Sequence, residues 1–170
     1  MSPLSSPDSP SRPRPPFPPV TQSRTFERIS YYNGIPNVGD HPDLPYRTGS
    51  ATYPWTRPTG IHAASLPVKS VHGVYDTPLN KVWDTVGPQI RDLVKQKTRY
   101  SSINPARFVT RQPEDGKGTL GPVTIWIAVP PGSTSADTAH DVSEAILELL
   151  VKNGVEGAEV EWYEAVLSRL

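Results

Sequence analysis

The run Val123-Thr124-Ile125-Trp126-Ile127-Ala128-Val129 is closed by Gly121-Pro122 on one side and Pro130-Pro131 on the other. It is apolar, rich in β-branched residues and too short for a free-standing helix, so it predicts a buried central strand. Two helical stripes lie around it. Leu79, Val82, Trp83, Val86, Ile90, Leu93 and Val94 recur at spacings of three and four. They follow Asp76-Thr77-Pro78, a helix start with Thr77 as the cap and Pro78 in the first turn, where no N–H is missed. Within this stripe Gly87-Pro88 predicts a kink or a restart, because proline removes a backbone hydrogen bond and crowds the carbonyl of Asp84. Ala139, Val142, Ile146, Leu149 and Leu150 mark the second helix, with N-caps offered over 133–137 and Asn153-Gly154 as its stop.

Three further strands complete the pattern. Leu66-Pro67-Val68-Lys69-Ser70-Val71 alternates weakly, and Pro67 restricts it to an edge. Residues 100–109 read as a strand broken near Pro105. Ala158, Val160 and Trp162 alternate with Glu159, Glu161 and Tyr163, a one-sided strand pattern. The order strand, helix, strand, strand, helix, strand predicts a ferredoxin-like (split βαβ) two-layer α+β sandwich, or a three-stranded variant if the first strand fails. Val123, Ile125, Ile127 and Val129 then face the helices, and Thr124, Trp126 and Ala128 line the other face.

Composition changes the picture at one end. Of 21 prolines, 13 fall in residues 1–60 and eight in the first twenty, a density that no helix or sheet interior accommodates. Residues 1–20 are therefore expected to be a disordered Pro/Ser-rich tail, 21–60 an irregular aromatic and proline-rich cover, and 61–170 the α/β sandwich. In the tail Arg12, Pro15 and Pro18 fit the pattern that SH3 grooves accept. Residues 22–34, with Phe26, Ile29, Tyr31 and Tyr32, show no clear period. An exposed Trp126 on a bare sheet face would be costly, so residues 44–60, with Tyr53 and Trp55, are expected to pack over it. That places an interaction surface at Arg47, Trp55, Arg57 and Trp126.

The formal charge balances, with 17 basic and 17 acidic residues, which argues against nucleic acid as a partner. No apolar run reaches the length of a membrane span, so no membrane association is expected. There is no cysteine, which removes disulfides, thiolate nucleophiles and cysteine-held metals. The start lacks a basic segment followed by an apolar one, and a cytoplasmic or nuclear location is expected. No cofactor, metal or catalytic residue is expected either. His140, beside Asp137, Asp141 and Glu144, has the spacing of a helix-surface pair.

A set of local motifs carries a resemblance. Tyr46-Arg47-Thr48-Gly49, Pro54-Trp55, Pro58-Thr59-Gly60, Val82-Trp83, Tyr100-Ser101-Ser102-Ile103, Arg107-Phe108, the 121–126 run, Thr138-Ala139-His140-Asp141 and Val160-Glu161-Trp162-Tyr163-Glu164 resemble the amino-terminal region of a family of hypothetical proteins from mushroom-forming fungi. The likeness spans roughly residues 44–166. In longer members this region precedes a trypsin-like segment, which is absent here, so the resemblance implies no catalytic residue.

These observations favour a non-enzymatic interaction or accessory module, with a protein partner or self-association. The alternatives are a small enzyme with a pocket near Trp126 and one of His62, His72 or His140 as acid or base, or the remnant of a longer protease-like protein. A nucleic-acid binder with stacking aromatics lacks its basic stripe.

Overall fold

The computed structural model describes residues 23–36, 41–62 and 65–166. The expected tail, with Arg12, Pro15 and Pro18, lies outside them. In chain order the elements are α1 (Ser23–Ser30), β1 (Asp43–Arg47), β2 (Val68–His72), α2 (Pro78–Lys95), β3 (Ser102–Arg111), β4 (Gly118–Leu120), β5 (Thr124–Val129), α3 (Ala136–Lys152) and β6 (Glu159–Glu164).

The caps act as expected in the helices, whereas the restart expected at Gly87-Pro88 does not occur. In α2 the Asn80 carboxamide oxygen accepts from the backbone N–H and hydroxyl of Thr77, at 3.0 and 2.8 Å. The helix continues through Pro88, which sits on its exposed side. In α3 the Ser135 hydroxyl accepts from the Thr138 N–H at 3.1 Å, and Gly154 takes the left-handed conformation after the last turn.

The sheet is not that of a ferredoxin-like sandwich, nor of its three-stranded variant. Its strands run β1-β6-β5-β3-β2, with β4 also paired to β3, and they curl into a half-barrel. A ferredoxin-like order would insert β2 between β5 and β6. Instead β5 and β6 pair directly and in parallel across α3, β2 lies antiparallel on the far side of β3, and β1 adds antiparallel to β6. The physical cause of the curl lies around Gly121-Pro122. Leu120 pairs with Val109 and Thr124 with Ala106, so four steps on one strand oppose three on the other. That extra residue is a β-bulge, which bends and twists the ladder. As a result β3 serves two surfaces: its first half pairs with β5 and its second half with β2 and β4. Pro105, the expected break, is tolerated in a continuous strand because β2 joins only from Arg107 onward, leaving that half of β3 with β5 as its one strand partner.

Two clusters fill the two faces. On the helix side Ile125, Ile127, Val129, Val160 and Trp162 are fully buried against Val86, Ile90, Val94, Ile146 and Leu150. Alternation along β5 had placed the isoleucines there. The opposite face carries a second cluster of Tyr31, Tyr32, Ile35, Leu44, Ala106 and Phe108, joined by Trp55, Trp126 and Tyr163. Trp126 does point to this face, yet its cover is not the one expected. Tyr163 stacks on it at 3.9 Å, Phe108 meets it edge-on at 5.2 Å, and Tyr32 receives its indole N–H at 3.2 Å. Tyr53 is 62% exposed, and Trp55 packs one layer out, on Tyr31. The main cover is the turn after α1. Gly34 lets that turn cross β2: its φ is +95°, and a Cβ there would stand 2.5 Å from Val68 Cγ1. The N–H of Lys69 then donates to the Asn33 carbonyl at 2.8 Å.

Candidate functional site

Covering the second face buries charge. Glu161, placed by β6 alternation on the face opposite the helices, is only 6% exposed. Two phenols compensate it. Tyr31 and Tyr32 each donate a hydroxyl to its carboxylate at 2.8 Å, one to each oxygen. Adjacent residues reach one carboxylate because they sit in the turn after α1, with their rings edge-to-face at 5.0 Å. Burial raises the pKa of Glu161, against the opposing pull of Lys69, the two phenols and Arg47. Burial also pushes both tyrosines well above the usual phenol range, and the charge of Glu161 adds to the shift.

Lys69 is the second buried charge, also 6% exposed. β2 carries it toward the cluster, where its ammonium lies 4.3 Å from the Tyr31 ring centroid and 5.0 Å from that of Trp55. Among the described residues it donates to the Thr110 hydroxyl, at 2.8 Å, on the directly paired residue of β3. Among the described residues no carboxylate stands within ion-pair distance of it. Burial lowers its pKa to about 8; the charge of Glu161 opposes this and that of Arg47 adds to it.

Lys69, Thr110 and Glu161, with the rings of Tyr31, Trp55 and Phe108, line a cleft of about 490 Å³. The cleft lies beside the bulge, whose Gly121 carbonyl accepts from Arg107 Nε at 2.9 Å. The size suits a small organic ligand.

The residues expected to form an interaction surface divide between interior and rim. Arg47 is 4% exposed and also lines the cleft: it pairs with Glu27 at 2.5 Å, donates to the Tyr53 carbonyl at 2.6 Å and stacks on Tyr31. Trp126 is half-buried beneath Tyr32 and Tyr163. Trp55 walls the cleft, with its indole N–H donating to the Ser30 hydroxyl at 2.8 Å, and Arg57 lies exposed over the Phe26 ring. The histidines do not gather. His72 is exposed on β2 beside Ser70, His140 on α3 meets the Tyr46 hydroxyl at 2.8 Å, and His62 ends a short 3-10 turn. Among the described residues no three His, Asp or Glu side chains come together as metal ligands, and no helix is long and apolar enough to cross a membrane.

No family model, curated protein or solved structure matches the chain. The function must be argued from the cleft itself.

Lys69 and Glu161 were not singled out by pattern. The signal was present in part: Lys69 shares a strand face with Pro67 and Val71, and Tyr31-Tyr32 is a pair of rings with hydroxyls to place. What one strand cannot announce is that its polar face will be covered by a segment 130 residues away.

The buried amine predicts a pH dependence. Below about pH 8 both states carry the charge and the folded state bears its desolvation. Between about 8 and the ordinary 10.5 the folded protein sheds the proton while the unfolded chain keeps it, so stability rises with pH. The full gain is on the order of 3 kcal/mol. Past pH 10 the raised tyrosine values work the other way, since the unfolded phenols ionise first. Urea midpoints of wild type and Lys69→Met, measured from neutral pH to pH 10, isolate the amine. Wild type should gain on the variant as pH rises, and parallel curves would refute the assignment.

Proposed function

We propose that the protein is a non-enzymatic binding module and that the cleft beside Trp55 is its ligand site. The observation that carries this is the buried Lys69 ammonium, lying against the Tyr31 and Trp55 rings and facing a cleft walled by them. A buried cation without an ion-pair partner is costly. A ligand with a flat apolar body and an oxygen acceptor at one end would offset that cost, with the oxygen on Lys69 and the body against Trp55 and Phe108. The carboxylates of the cleft support the same polarity. Each oxygen of Glu161 already accepts a phenol, from Tyr31 and Tyr32, and Glu159 accepts the Thr48 hydroxyl, whereas Lys69 presents an ammonium to the cleft.

Titration with benzoate or benzamide, followed by amide and indole NMR shifts, tests this. The expected result is a set of shifts at Trp55, Lys69 and Thr110, and a loss of affinity of about tenfold or more in Lys69→Met, as for a hydrogen bond to a charged group. Shifts that map to the helix face, or an affinity unchanged in a folded Lys69→Met, would overturn it.

A further inference from the structure

We propose that Lys69 captures its ligand covalently, as an imine with an aldehyde or ketone carbonyl, making the protein a reversible carrier of carbonyl compounds. The proposal rests on the cleft being the ligand site and names the class of ligand it takes. Three features of the geometry point to it. The amine ends inside an open cleft of about 490 Å³, so a small carbonyl compound has room beside it. The rings of Tyr31 and Trp55, at 4.3 and 5.0 Å, displace the water that would otherwise solvate its charged form. The Thr110 hydroxyl, 2.8 Å from Nζ, is placed to pass protons between nitrogen and oxygen.

The charged groups that act on the amine come from two elements, Glu161 on β6 and Arg47 on β1, the latter paired with Glu27 on α1, while the neutral Tyr31 ring lies against it. Burial and the positive charge of Arg47 favour the neutral, nucleophilic amine, bringing its pKa to about 8. The remaining lysines, Lys81, Lys95, Lys97, Lys117 and Lys152, are all exposed.

The step is a condensation without redox change. The nitrogen lone pair forms the C–N bond while the carbonyl π pair moves to oxygen. One N–H proton crosses to that oxygen, by way of Thr110, to give the carbinolamine. The second N–H proton then leaves with the hydroxyl as water, and the C=N bond closes. Each adduct releases one water, and hydrolysis reverses it. If the imine takes up a proton, Glu161, held by its two phenols, supplies the buried negative charge that offsets it.

The full chain incubated with benzaldehyde and cyanoborohydride at neutral pH provides the test, with intact mass and peptide mapping as readout. A single benzyl group should appear on Lys69, at least about tenfold faster than on any exposed lysine, since each unit of pKa changes the neutral-amine fraction tenfold. Labelling spread over the surface lysines overturns the proposal. Thr110→Val should slow trapping at Lys69 several-fold while leaving the labelling of Lys81 unchanged; equal slowing at both sites would overturn the proton relay. Benzamide, similar in shape and unable to condense, separates the two readings. Benzamide bound in the cleft with Lys69 unlabelled defeats covalent capture and leaves the binding module standing. Neither binding nor labelling defeats both. Lys69→Arg, which keeps the cation, should bind benzamide and lose trapping, and its melting curve shows whether the fold is retained.

Discussion

Trp162→Ala is expected to lower folding stability by about 3–5 kcal/mol, the cost of truncating a fully packed aromatic side chain. Trp162 has no exposed surface and sits in the helix-side cluster. Two terms add in the same direction. Removing the indole opens a cavity that the rigid β5–β6 ladder cannot collapse into, and it strips Ser143, itself fully buried, of the N–H that its hydroxyl accepts at 2.8 Å. Tyr53→Ala, at a 62% exposed ring, should change little and serves as the control. Urea denaturation decides: a loss below about 1.5 kcal/mol for Trp162→Ala would mean that the cluster packs more loosely than its burial indicates.

The second large effect belongs to the covered sheet face. Glu161→Ala should cost about 3–5 kcal/mol, the range for removing one member of a buried charge network and orphaning the rest. Both tyrosine hydroxyls lose their acceptor, and Lys69 loses the negative charge that helps to hold it protonated. Glu161→Gln keeps the shape and one acceptor oxygen, so its loss should be smaller. The same denaturation measurement checks this ordering. A glutamine variant less stable than the alanine one would show that Tyr31 and Tyr32 do not depend on the carboxylate.

How much of this was legible depended on what each residue needed. The helix side was readable because its demands are local. Ile125, Ile127 and Val129 alternate within one strand, Val86, Ile90 and Val94 share one helix stripe, and caps such as Ser135 act within three residues. The strand order was not. It is decided by which ladder closes after a one-residue bulge at Gly121-Pro122, and by β1, a five-residue stretch containing Pro45 that reads as a turn until it meets β6. The candidate site failed to announce itself for a related reason. Glu161 and Lys69 sit at positions that alternation along one strand does not mark, and it is Tyr31 and Tyr32, from an aperiodic stretch, that cover Glu161, and Tyr31 with Trp55 that cover Lys69.

The pairing of β1 with β6 has a kinetic consequence. It joins residues 43–47 to residues 161–164, across nearly the whole described chain, and a contact of such sequence separation is entropically slow to close. The local β5–α3–β6 unit can nucleate first. During synthesis, which runs from the amino terminus, Tyr31, Tyr32 and Arg47 emerge long before Glu161, so they have no surface to dock on until β6 has been made. Closure of the second face, and with it the burial of Lys69, is therefore expected late in folding, after the helix-side core is in place.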